Sequence, residues 1–88
     1  MENKEFITQN LLDAGVLKAL GVKLLRLEKK EIKGYEVVFF VFDNTDGKAE
    51  KMYEDAVNGR LELPMDFISK LISAYSYLKT KIKNLLNE

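Results

Sequence analysis

The chain has 88 residues, 47% apolar and 32% charged, and its 14 Lys plus Arg are balanced by 14 Asp plus Glu. It contains neither Cys nor His, which excludes a disulfide framework, a Cys or His zinc site, a thiol nucleophile and an imidazole-based triad. Such a composition describes one folded domain over residues 1–88, too short to divide and too apolar to be disordered.

Residues 1–8 read as a frayed or extended lead-in around the apolar pair Phe6-Ile7. Asn10 is placed to cap a first helix over about residues 9–20, with Asp13 near its positive end. Leu12, Val16, Leu17 and Leu20 recur at helical spacing, and Gly21 supplies the stop. Gly15 costs that helix about 1 kcal/mol relative to Ala; it either admits a close neighbour or simply weakens the helix.

Val22 to Lys29 reads as a strand, and Lys30 to Gly34 as the polar connection of an antiparallel hairpin with Gly34 at positive φ. Tyr35 to Phe42 is β-branched and aromatic almost throughout and forms the second strand. The turn Asp43-Asn44-Thr45-Asp46-Gly47 ends it and offers Thr45 or Asp46 as an N-cap. Ala49, Met52, Tyr53, Ala56 and Val57 then repeat on one helix face, closed by Asn58-Gly59.

Arg60-Leu61-Glu62-Leu63 is a short edge strand or an extended connector, and Pro64 suits the first turn of a last helix. In that helix Met65, Ile68, Leu71, Ile72, Tyr75, Leu78, Ile82, Leu85 and Leu86 make one continuous stripe. The fold class is therefore α+β: helix, antiparallel β-hairpin, helix, short edge strand or connector, and a long C-terminal helix packed on the sheet. Both faces of the Tyr35 strand are apolar, so both need cover. Either the helices divide between the faces, or they share one face and a partner or second subunit takes the other.

The carboxylates and hydroxyls show no catalytic pattern. If Gly47 were the sixth position of a calcium loop, Phe42 and Tyr53 would stand where carboxylates are required. Glu50, Glu54 and Asp55 lie on the polar side of their helix beside Lys51, as a solvated face does. Ser69, Ser73 and Ser76 have no visible base, and no nucleophile-elbow, Walker-type or dinucleotide motif is present. The expectation is a chain that is no enzyme and takes no metal or cofactor.

The zero net charge is unevenly spread. Residues 1–33 hold 7 basic and 5 acidic side chains, residues 34–63 hold 3 and 7, and residues 64–88 hold 4 and 2. The acidic middle offers a surface of Asp46, Glu50, Glu54 and Asp55 to a basic protein partner. The rival surface is Lys70, Tyr77 and Lys81, predicted on the far side of the last helix from its apolar stripe, where tyrosine and lysine can engage nucleic acid. Neutral overall charge favours the protein partner.

Several features together resemble a family of small uncharacterised domains encoded by phages, prophages and other mobile elements. They are Thr8 before a short leucine-rich helix, Gly21 leading into the first strand, and the strand end Phe40-Val41-Phe42-Asp43. Tyr53 to Asn58-Gly59, Phe67 and Leu78-Lys79 continue the likeness, which runs from about residue 6 to residue 84. Gly15 and the longer polar hairpin connection depart from it. The resemblance implies an origin in a mobile element and transfers no catalytic or binding residue.

The resulting expectation is a non-enzymatic interaction protein, an accessory of a phage or mobile element, binding a host or phage protein through its acidic or hairpin surface. The alternative is a small nucleic-acid-binding module using the Lys/Tyr face. No apolar run reaches the ~20 residues of a membrane span. The charged N-terminus does not read as a secretory signal. The expected location is therefore cytoplasmic, and pairing of two copies through the hairpin is a third possibility.

Overall fold

The computed structural model describes residues 4–63 and 65–87. Its elements run β1 (Glu5–Thr8), α1 (Leu11–Ala19), β2 (Leu24–Ile32), β3 (Tyr35–Asp43), a 3₁₀ turn (Thr45–Gly47), α2 (Lys48–Val57) and α3 (Phe67–Leu86). The α+β class and the order helix, hairpin, helix, helix are as expected. Residues 60–63 are a connector rather than a strand. Pro64, expected at the start of the last helix, lies outside the described residues.

The lead-in is a strand rather than a tail. β1 pairs antiparallel with β3, Phe6 opposite Phe42 and Thr8 opposite Phe40, so the sheet order is β1-β3-β2. Four residues with one apolar pair give too little alternation to mark a strand. What makes β1 a strand is the open edge of β3, whose backbone groups require partners.

The hairpin is tighter than expected. Lys33 and Gly34 both take positive φ, 52° and 84°, which is the two-residue turn whose twist matches the flanking strands. Lys30, Glu31 and Ile32, assigned above to the connection, therefore continue β2 opposite Val37, Glu36 and Tyr35. A register shift between Leu24 and Arg26 marks a bulge at the start of this charged edge strand. Charge and a bulge both discourage edge-to-edge pairing.

Caps fix the helices, one as read and one not. Asn10 Oδ1 accepts from the N–H groups of Leu12 and Asp13 at 2.9 and 3.2 Å. At the other end of α1, Val22 N–H bonds the Leu17 carbonyl and Gly21 N–H that of Lys18, with Gly21 at φ 91°. Neither Thr45 nor Asp46 caps α2. Asp43 Oδ1 instead accepts from both the N–H and the hydroxyl of Thr45, which holds the Asp43 carboxyl below its usual range, with help from Lys23 and Lys48. Asp46 and Gly47 are left-handed and turn the chain so that Asn44, 2% exposed, reaches Glu50 N–H at 3.0 Å.

The core gathers Phe40 and Phe42 with Ala14, Leu17 and Leu78, flanked by Phe6, Leu24, Leu27, Met52, Tyr53 and Ile82. Side chains alternate across a strand, so all three helices contact the Phe40/Phe42 face. The molecule is accordingly flat, 39 × 35 × 19 Å, one layer of sheet under one of helix. Gly15 faces α3: an added Cβ would stand 3.4 Å from both Leu71 Cδ1 and Tyr75 Cδ2, at the near limit of ordinary contact. Asp13 joins α1 to α2, its charge, followed by burial and a hydrogen bond, raising the Tyr53 hydroxyl pKa.

The last helix lies differently from its apolar stripe. Phe67, Ala74 and Leu78 are buried, whereas Ile68, Ile72 and Met65 are 71%, 62% and 105% exposed. At 100° per residue the face made by the buried and half-buried residues together is rotated by roughly 50° from the stripe's centre. Small residues decide this: Ala74 and Ala19 pack with Phe67, and Gly15 admits Leu71 and Tyr75. Backbone approach at small side chains outweighs the position of the largest ones.

The other face of β3 has no helix over it among the described residues, yet Val41 there is 0% exposed. Val41 is opposed by Arg26 of β2 on one side and by Ile7 of β1 on the other. The Arg26 guanidinium bonds both oxygens of Glu5, at 2.7 and 3.1 Å, and Glu28 at 3.1 Å. Lys30 pairs with Glu28 at 3.8 Å and lies 5.2 Å from the Phe39 ring centre. The stems of these charged side chains roof the apolar row.

Candidate functional site

Tyr77 is met by lysines from two helices. Lys18 Nζ, from the last turn of α1, lies 4.4 Å from its ring centre, and Lys81 Nζ lies 5.4 Å from it. Both distances are within the range of cation–π attraction. The ring is one wall of an open cleft of about 610 Å³ lined by Lys18, Ala19, Gly21, Ser69, Lys70, Ser73 and Ala74. Tyr77 also borders a smaller groove of about 300 Å³, shared with Lys81, Asn84, Leu85 and residues 24–27 of β2.

Lys70, Tyr77 and Lys81, read from sequence as one face, are thus together and exposed, on the flank of α3 that borders α1. The roughly 50° rotation of α3 accounts for this placement. Lys70 also reaches Asp66 at 3.6 Å. The residue that sequence reasoning missed is Lys18. A lysine in a helix's last turn is explained by the macrodipole alone, and only packing of α1 on α3 brings it to Tyr77.

The acidic set is less unified. Asp55 is held by Lys51 at 3.6 Å and Arg60 at 3.4 Å, while Asp46 occupies the left-handed turn before α2. Glu50 and Glu54 are exposed, one turn apart. Glu50 also borders a hollow with Glu5, Phe6, Ile7 and Asn44, a proximity that depends on β1. Among the described residues no group of three or more acidic side chains could hold a metal ion.

The serines of the cleft, Ser69 and Ser73, share it with lysines and small apolar residues and with no carboxylate. Chemically the cleft can hold an anionic group at its rim and an apolar one on its floor. The fold defines a two-layer α+β domain with its three helices on one side of the sheet. No protein family, curated protein or solved structure matches the chain. No helix among the described residues is long and apolar enough to cross a membrane.

Proposed function

We propose that this chain is a non-enzymatic interaction protein, an accessory of a phage or mobile element, that binds an acidic segment of a partner protein in the Tyr77 cleft. The convergence of Lys18 and Lys81 on Tyr77, from two helices, beside a small-residue floor carries this reading. Lysines at the rim attract carboxylates, and the floor of Ala19, Gly21 and Ala74 accepts one apolar anchor. A protein partner is favoured over nucleic acid by two points. The chain is electrically neutral, and the tyrosine ring already carries ammonium groups where a base would have to stack.

The test is an amide chemical-shift titration with a Glu-rich peptide carrying one leucine, run beside an oligothymidylate of similar charge. Shifts at Lys18, Gly21, Ser73 and Tyr77 are expected with the peptide, weakening with salt. Tyr77→Ala should reduce affinity by about tenfold or more, while reversing Glu50 and Glu54 should leave it unchanged. Absence of peptide shifts at low salt removes the reading. Tighter binding of the oligonucleotide transfers the site to nucleic acid, and loss of binding on reversing Glu50 and Glu54 transfers it to the acidic surface.

A further inference from the structure

α3 carries more apolar surface than its own chain covers. Ile68 and Ile72 stand one turn apart on its exposed flank, Met65 precedes them, and Leu12 of α1 borders the same hollow as Ile72. At 100° per residue Lys79 lies between Ile68 and Ile72 in azimuth, with Lys83 close behind. The flank is therefore apolar in its N-terminal half and cationic in its C-terminal half, while Glu62 lies in the stretch leading into the helix and Asp66, the N-cap residue, is engaged by Lys70.

We infer that this flank pairs with that of a second copy, the two α3 helices packing antiparallel about an axis at Ile72. In that arrangement Ile72 meets Ile72 of the other copy, and Ile68 lies against its Tyr75-Ser76 turn. The Lys79 stem lies along the other copy's Met65. Each copy's lysine-rich half then comes level with the other's Glu62. A parallel pairing would bring lysine against lysine and set Glu62 beside Glu62 of the other copy.

The area fits a reversible dimer. Met65, Ile68, Ile72 and Leu12 together expose the equivalent of about three whole aliphatic side chains. That is roughly 600 Å² per copy, the upper end for the largest patch on a typical monomer. A standard interface takes about 800 Å² from each partner, and the flanking Lys79, Ser76 and Leu63 supply the difference. A single small core without disulfides is also the setting in which association commonly adds stability.

Sedimentation equilibrium from micromolar to millimolar concentration reads the assembly directly. The expected result is reversible passage from 10.1 kDa to twice that mass. Ile72→Glu should weaken dimerisation by about tenfold or more with an unchanged far-ultraviolet spectrum. Tyr77→Ala should leave the dimer intact, which separates this inference from the cleft reading. Because the chain has no cysteine, Ile72→Cys provides a second test: oxidation should yield a disulfide-linked dimer, and Tyr35→Cys should not. A single 10.1 kDa species up to millimolar concentration overturns the inference. So does a dimer that survives Ile72→Glu or cross-links through residue 35 instead of residue 72.

Discussion

The two faces of β3 begin with nearly equal hydrophobicity and solve the problem of water by different means. Phe40 and Phe42 are 1% and 0% exposed beneath helices. Val41, between them in sequence and on the opposite face, is 0% exposed beneath an arginine and its strand neighbours. A strand apolar on both sides therefore does not require a layer of structure on each. Long charged side chains on adjacent strands can cover a narrow apolar row with their stems while their heads pair in water.

The difference is first of all energetic. Phe40→Ala removes a large ring from the cluster of Ala14, Leu17, Phe42 and Leu78 and should cost about 3–5 kcal/mol. Val41→Ala removes two methyl groups beneath flexible side chains that can settle inward, and should cost about 1–2 kcal/mol. Urea denaturation of both variants measures the gap. Equal losses would mean that the charged roof packs as rigidly as the helices do.

On the helix-covered face Asn44 is a buried polar fastening. It accepts from Glu50 N–H at 3.0 Å, and its own N–H bonds the Lys4 carbonyl at 2.8 Å, so one residue ties α2 to the end of β3 and to the approach to β1. Asn44→Ala keeps the backbone bond and loses the cap, for an expected cost of about 1–2 kcal/mol. Hydrogen exchange should show the loss first at the start of α2, with the hairpin protected as before. Uniform loss of protection would instead make the whole sheet dependent on this cap.

The parts legible in sequence were those set by local chemistry. Asn10, Gly21 and Gly34 marked a cap, a stop and a turn because each acts within a few residues of itself. The β2–β3 hairpin followed from Val37 to Phe42 in the same way. β1 was hidden because a four-residue strand exists only through its partner, and the α2 cap because Asp46 and Gly47 are left-handed where no local rule demands it. The face of α3 was misjudged because the stripe weighs large side chains, while Gly15, Ala19 and Ala74 determine where helices approach. Lys70, Tyr77 and Lys81 were readable as one face by periodicity alone. Lys18 belonged to them only once α1 and α3 were packed together.

The smallest expected effect isolates the charged roof from the helices. The bonds from Arg26, together with its charge, hold the Glu5 carboxyl below its ordinary 4.5, so the folded chain binds that proton less readily than the unfolded chain does. The stabilisation is thus present above about pH 4.5, the unfolded value, and is lost as pH falls through the lower folded value. Arg26 remains charged throughout and shifts upward for the reciprocal reason. Both groups are exposed, so salt weakens the pair and the effect is modest. Arg26→Gln should reduce the acid sensitivity of the urea midpoint below pH 4.5 and its sensitivity to salt at pH 7. Amides of β1 should lose protection on acidification before those of α1 and α3. If α1 and α3 lose protection at the same pH as β1, the two faces are one cooperative unit and the roof has no separate stability.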